Sequence, residues 1–210
     1  MIDAKKTAIL MIDMQKGFIE KSSALCVAGA EATIPACAKA LAQARSMGIK
    51  VIHVWRNYAQ DGSDIEAIRY QQWKEGGKPV SSARPESMEP PSELAPHPND
   101  KIMYKPRFSA FFATALDEIL RSLSIETVIV TGTTTPNCIR QTCYDALSLN
   151  YNVVVIQDCT SSRTQQVQDA NIEDLRHIGV QIIDSDSFLE EGLSAIQDIA
   201  GNYREGITSR

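Results

Sequence analysis

The stretch Thr127–Leu147, TVIVTGTTTPNCIRQTCYDAL, decides how the chain is read. Its first five residues are all β-branched, a run that suits a strand. A glycine and three threonines then break the run, and Thr135-Pro136 has the look of a helix start. Threonine would serve as N-cap, and proline as N1, where its missing N–H costs nothing. The spacing therefore predicts strand, tight turn and helix, with Cys138 in the first helical turn. Unpaired N–H groups and the positive end of the helix dipole lie there, a setting that lowers a thiol's pKa. Ile139, Cys143, Ala146 and Leu147 form the apolar stripe of this helix. Cys138 stands about 100° off that stripe, so Cys143 reads as packing and Cys138 as facing the strand-end crevice.

Working outward, other short apolar runs punctuate the chain: Ala8–Ile12, Val51–Trp55, Ile102–Tyr104, Val153–Ile156 and Val180–Ile183. Most do not alternate with polar residues, as expected of strands covered on both faces. The segments between them have helical period, notably 33–47, 114–123 and 164–177, and the tail 188–200 reads as helical too. Gly48 is placed as a C′ stop for the first of these, and Thr114 with Asp117 resembles a capping box. Strand and helix in alternation imply right-handed βαβ units and a parallel sheet with helices on both faces. The exception is 57–100, which holds six of the nine prolines. That stretch is expected to be an excursion over the substrate side, with a short helix near 65–73. A chain of 210 residues suffices for one domain with a full core, so residues 1–210 are read as a single domain.

Composition narrows the function classes. The net charge is −5 and no Lys/Arg block appears, which argues against nucleic acid and anionic membranes as partners. No apolar run is long enough to span a bilayer, and the first residues lack the features of a secretion signal. A cytoplasmic location is expected. The five cysteines are irregularly spaced, none in a CxxC or zinc-type pattern, and are expected to be free thiols. Cys26, Cys37, Cys143 and Cys159 read as small buried hydrophobes.

Two charged residues share the crevice with Cys138 by topology. Asp13 closes AILMID, where a desolvated carboxylate can act as a base. Lys105 closes KIMYK, and Pro106 holds it extended. In parallel α/β sheets, ligands bind beyond the carboxyl ends of the strands, so the three groups converge on one edge. None of the three histidines stands at a strand end, and a Cys–His pair is weakly supported.

At this point DMQKGF, YKPRFSAF and GTTTPNCIRQTCYDAL together resemble the isochorismatase-like cysteine hydrolases, over about residues 7–185. The resemblance implies a three-layer αβα sandwich around a six-stranded, mostly parallel sheet. It implies an Asp13–Lys105–Cys138 triad and a non-proline cis peptide at Thr133–Thr134. It also implies an oxyanion hole built from the N–H groups of Thr134 and Cys138. The expected activity is hydrolysis of an amide or ureido bond of a small molecule through a thioester, releasing ammonia or an amine. The alternatives are vinyl-ether cleavage of the isochorismatase type, a thiol redox or sensor role for Cys138, and an idle homologue. Nicotinamidases of this family carry an Asp-x-His metal site after the second strand. Here HVWRNYAQDGSD stands instead, so neither metal nor cofactor is expected. Arg56, Arg69 and Arg107 are candidates to clamp a substrate carboxylate, with Arg69 slightly favoured as plain surface. Phe18, Trp55, Phe108 and Phe111 are candidate pocket walls, with core packing about as expected for each. A homo-oligomer, dimer or tetramer, is anticipated from the resemblance.

Overall fold

The computed structural model describes residues 2–208. Six strands form one sheet in the order β3-β2-β1-β4-β5-β6, and every pairing is parallel. They are β1 (Thr7–Ile12), β2 (Lys50–Trp55), β3 (Lys101–Tyr104), β4 (Thr127–Thr133), β5 (Asn152–Ser161) and β6 (Gln181–Ile183). The helices are α1 (Lys16–Ile19), α2 (Ile34–Ser46), α3 (Tyr70–Glu75), α4 (Leu116–Ser122), α5 (Arg140–Ser148), α6 (Gln165–His177), α7 (Ser185–Glu191) and α8 (Gly201–Thr208). No described helix is long and apolar enough to cross a membrane.

Strand residues explain the unalternated apolar runs. Ala8, Leu10 and Ile12 of β1, with Val128 and Val130 of β4, pack under Leu120, Cys143 and Leu175 of α4, α5 and α6. Ile9, Met11 and Ile129 point the other way, onto Leu41 of α2 and Phe188 of α7. These central strands thus feed two cores, and the molecule has three layers. Every residue of β1 and of β4 is buried. Burying one such aliphatic side chain contributes about 1.5–3 kcal/mol. The sequence of the tail misleads: α7 ends at Gly192, which takes φ 61°, and a 3-10 turn (Gly192–Ala195) replaces the helix expected through 200.

The proline-rich segment forms no named strand. It contains α3 and three 3-10 turns, and Tyr58 bridges to Ser81. Tyr58, Ile65, Trp73 and Val80 pack with Phe18 of α1 as a third small core. Trp73 Nε1 donates to Pro79 O at 2.8 Å, so the indole is satisfied while buried. This segment therefore stands as a wall beside the carboxyl end of the sheet.

The strand order reverses direction between β1 and β4, the place where open α/β sheets make their ligand crevice. Ile12 pairs with Gly132 there. Gly132 has φ 107°, and a Cβ on it would collide with the Ile12 backbone, so only glycine lets the strands approach.

Candidate active site

Asp13 is the residue after β1, with φ 53°, a conformation aspartate tolerates better than most. Its N–H donates to Val54 O at 2.9 Å, which holds it against the next strand. Lys105 follows β3, and its N–H donates to Trp55 O at 2.9 Å. Cys138 lies beyond β4. The three side chains meet although 92 residues separate the first two and 33 the last two. Lys105 Nζ spends its donors on Asp13 Oδ2 at 2.7 Å, Arg107 O at 3.0 Å and Cys138 Sγ at 3.5 Å. An ammonium has three donors, so this set uses all of them. Lys105 and Asp13 are both buried, at 0% and 2% side-chain exposure.

The turn before Cys138 differs from the sequence expectation. Residues Thr135–Ile139 form a π-helical turn, with Thr134 and not Thr135 in the N-cap position. The threonine hydroxyls do another job. Thr134 and Thr135 Oγ1 each donate to Ser161 O at 3.0 Å, and Ser161 Oγ donates to Thr133 Oγ1 at 2.8 Å. All three threonines are thereby pinned to the end of β5. The Thr133–Thr134 peptide is cis. Asn137 and Ile139 N–H both point back to Thr134 O, at 3.1 and 3.3 Å. The Thr134 N–H has no hydrogen-bond partner among the described residues. Thr142 fixes the helix behind the sulfur: its hydroxyl donates to Cys138 O at 2.6 Å and accepts from Ala110 N at 3.0 Å.

Cys138 is 3% exposed, yet it lines a cleft of about 330 Å³ together with Asp13. Burial pushes its thiol up, against the pull of Lys105; Asp13 adds to the rise and Arg56 opposes it. The lowered pKa expected from a helix start is therefore corrected. Desolvation outweighs the pull of the nearby cations, so the thiol holds its proton more tightly than a free one. Cys143, in the core, is pushed up by burial alone.

The cleft sorts the candidate substrate contacts. Phe18 lines it, with Arg69, Gln72, Asn137, Ser162 and Arg163. Arg69, read from the sequence mainly as surface, stands in the wall with its guanidinium 4.9 Å from the Phe108 ring centre. Phe108 itself packs behind, on the core. Arg56, Trp55, Arg107 and Phe111 do not line the cleft. Trp55 packs edge-on to His53 and Tyr104. Arg107 donates to Asp64 O and Pro106 O, and Phe111 stacks on Tyr151. Cys26 is half-buried and lines the cleft, where a core position was expected. Arg163 was missed because β5 does not stop at Ile156. A register shift lets the strand resume, pairing Thr160 and Ser161 with Gly132 and Thr133. Arg163 follows directly, and an irregular strand leaves no period-2 signal to find it by.

The donor set after β2 does not suit a metal ion. Arg56, Asn57 and Tyr58 stand there, and a guanidinium repels a cation. No group of three His, Cys, Asp or Glu residues among those described is arranged to hold one. His53 is instead buried against Asp100, at 3.2 Å.

Comparison with known proteins adds an independent line. The Isochorismatase domain family matches residues 7–187. A protein of Arabidopsis thaliana named as a probable inactive nicotinamidase is 37% identical over 181 residues, which are 84% of this chain and 91% of that protein. A ureidoacrylate amidohydrolase of Pantoea ananatis is 33% identical over 187 residues, 74% of this chain and 69% of that one. The crystal structure of an isochorismatase family protein from Desulfovibrio vulgaris superposes with a TM-score of 0.84 at 39% identity, covering 90% of this chain and 98% of that one.

Proposed function

This chain belongs to the isochorismatase-domain family of hydrolases, and from that premise we propose that it is a cysteine-dependent amidohydrolase of small amides or ureido compounds that carry a carboxylate. The observation that carries the reading is the single buried run of contacts Asp13–Lys105–Cys138 at the floor of a cleft. In this reading Asp13 takes the Sγ proton, and the thiolate attacks the substrate carbonyl carbon. The oxyanion is held by the N–H groups of Thr134 and Cys138. Lys105 balances the charge throughout. When the C–N bond breaks, Asp13 gives its proton to the departing ammonia or amine. Asp13 then takes a proton from water, whose hydroxide attacks the thioester. The acid product leaves and the sulfur regains a proton. A thiol raised first by burial and then by Asp13 calls for such a base.

The substrate class rests on the cleft wall. Arg69 and Arg163 supply positive charge at its mouth, and Phe18 supplies an apolar face. A relative named for ureidoacrylate acts on a compound with both the ureido bond and the acid. The test is ammonia release over a panel of primary amides, ureido acids and isochorismate. Cys138→Ala is expected to abolish release, by at least about 10³-fold, with an unchanged circular-dichroism spectrum. Undiminished turnover in that variant would reject the proposal.

A further inference from the structure

Arg56 is one of the largest fully buried side chains in the molecule. It leaves β2 at its carboxyl end, beside the strand that delivers Asp13. Its backbone is clamped on both sides by Gln15: the N–H donates to Oε1 at 2.7 Å, and the carbonyl accepts from Nε2 at 2.9 Å. Nη1 donates to Glu66 Oε1 at 2.7 Å, Tyr58 Oη at 3.0 Å and Pro106 O at 3.3 Å. Tyr58 Oη donates in turn to Glu66 Oε2 at 3.0 Å, so both oxygens of that carboxylate are occupied. The guanidinium lies 5.4 Å from the Tyr58 ring centre and 5.7 Å from that of Phe108. Such packing holds a planar cation in one orientation.

Two further observations separate Arg56 from a simple core ion pair. Its Nε and Nη2 are buried with no hydrogen-bond partner among the described residues, and so is Oδ1 of Asp13. Buried donors are normally paired, so an unpaired guanidinium fork asks for a reason. A clamp for the substrate's acid is not that reason, because Arg56 does not line the cleft while Arg69 and Arg163 do.

Charge balance supplies one. The buried cluster holds two acids, Asp13 and Glu66, and two cations, Lys105 and Arg56. Passing the Cys138 proton to Asp13 leaves the total unchanged and moves one negative charge onto sulfur. Glu66 is tied on both oxygens to Arg56 and Tyr58, and of that pair it is Arg56 that acts on the sulfur, so the pair is not electrically silent toward the charge that moves there. We infer that Arg56 is a positioning residue of the catalytic centre, a permanent internal cation locked by Glu66 and Tyr58 that favours the thiolate form of Cys138. Burial works against the Arg56 charge, but Asp13, Tyr58, Cys138 and Glu66 together hold it more firmly than usual. The inference rests on Cys138 being the nucleophile.

The charged and titratable groups that face this centre are Asp13 after β1, Arg56 and Tyr58 after β2, Glu66 and Arg69 from the excursion, and Lys105 after β3. The experiment therefore changes Arg56 and Glu66 and leaves the rest. Alkylation of Cys138 by iodoacetamide, mapped by mass spectrometry across a pH series, reads the thiolate without any substrate. Arg56→Gln combined with Glu66→Gln removes the pair and keeps the pocket electrically even. That variant is expected to alkylate about 10-fold more slowly at neutral pH, its profile moved up by about one unit. Glu66→Gln alone leaves Arg56 in place and is expected to alkylate several-fold faster, its profile moved down. A mere structural pair would give the native profile in the double variant, and that result overturns the inference. Should the double variant fail to fold, Glu66→Gln decides alone, with an unchanged or slower rate overturning the inference. Turnover of Cys138→Ala judges the amidohydrolase reading separately, since alkylation does not depend on which bond is cleaved.

Discussion

At the residue scale, the ammonium of Lys105 is the joint of the site. It bridges a carboxylate and a thiol while its own side chain is fully buried. Removing one partner of a buried ion pair leaves the other uncompensated, at a cost of about 3–5 kcal/mol. Lys105→Met is therefore expected to lose stability on that order, seen as a lower urea midpoint, along with all turnover. Adding Asp13→Asn should recover part of the midpoint and none of the turnover. The convergence of Asp13, Lys105 and Cys138 was legible in the sequence because the first two directly follow recognisable strands and the third lies in the turn after another, all at one edge of the sheet. Arg69 was named as a candidate clamp but slightly favoured as surface, and Arg163 was not named at all, since such an arginine carries no periodic signal and its neighbours come from distant segments. Arg56, one of the candidate clamps, is instead paired with Glu66, ten residues on, in a segment whose path no local pattern reveals.

At the scale of elements, the consecutive threonines tie β4 to β5. Thr135 Oγ1 is buried and donates to Ser161 O. Thr135→Val keeps the shape and deletes the donor, so a loss of about 1 kcal/mol is expected in denaturant unfolding. Because that bond also fixes the turn carrying the Thr134 and Cys138 amides, kcat should fall by about 10-fold with KM little changed. An equal loss in KM would assign the threonine to binding instead. The strands were legible as β-branched runs buried on both faces, but their far ends were not. β4 and β5 both run past the apolar residues into TGT and CTS, polar stretches that pairing with each other, and of TGT with β1, keeps extended. The π-helical turn was equally hidden, for Thr-Pro obeys the rules of an ordinary helix start and the hydroxyls are drawn off by Ser161.

At the scale of the whole molecule, an acidic protein presents arginines at one mouth. The net charge is −5, yet Arg69 and Arg163 border the cleft. Such a local field attracts anions and is screened by salt. For an acid substrate, kcat/KM is expected to fall about 3- to 10-fold between low salt and ~1 M, while a neutral amide should respond little. Equal responses would remove the arginines from substrate capture. The layered architecture was readable from alternation of run types; the folding of residues 57–100 was not, because its order comes from a private cluster around Trp73 and from prolines with no ladder to follow. That excursion offers Arg69 and Gln72 to the open side of the site, and Tyr58 and Glu66 to the hidden side. Grafting the loop from a paralogue to retune selectivity would thus swap the counterweight of Arg56 in the same cut. A donor loop with a neutral residue at position 66 would arrive with altered nucleophile reactivity as well as a new preference, and loop exchange must be scored on both.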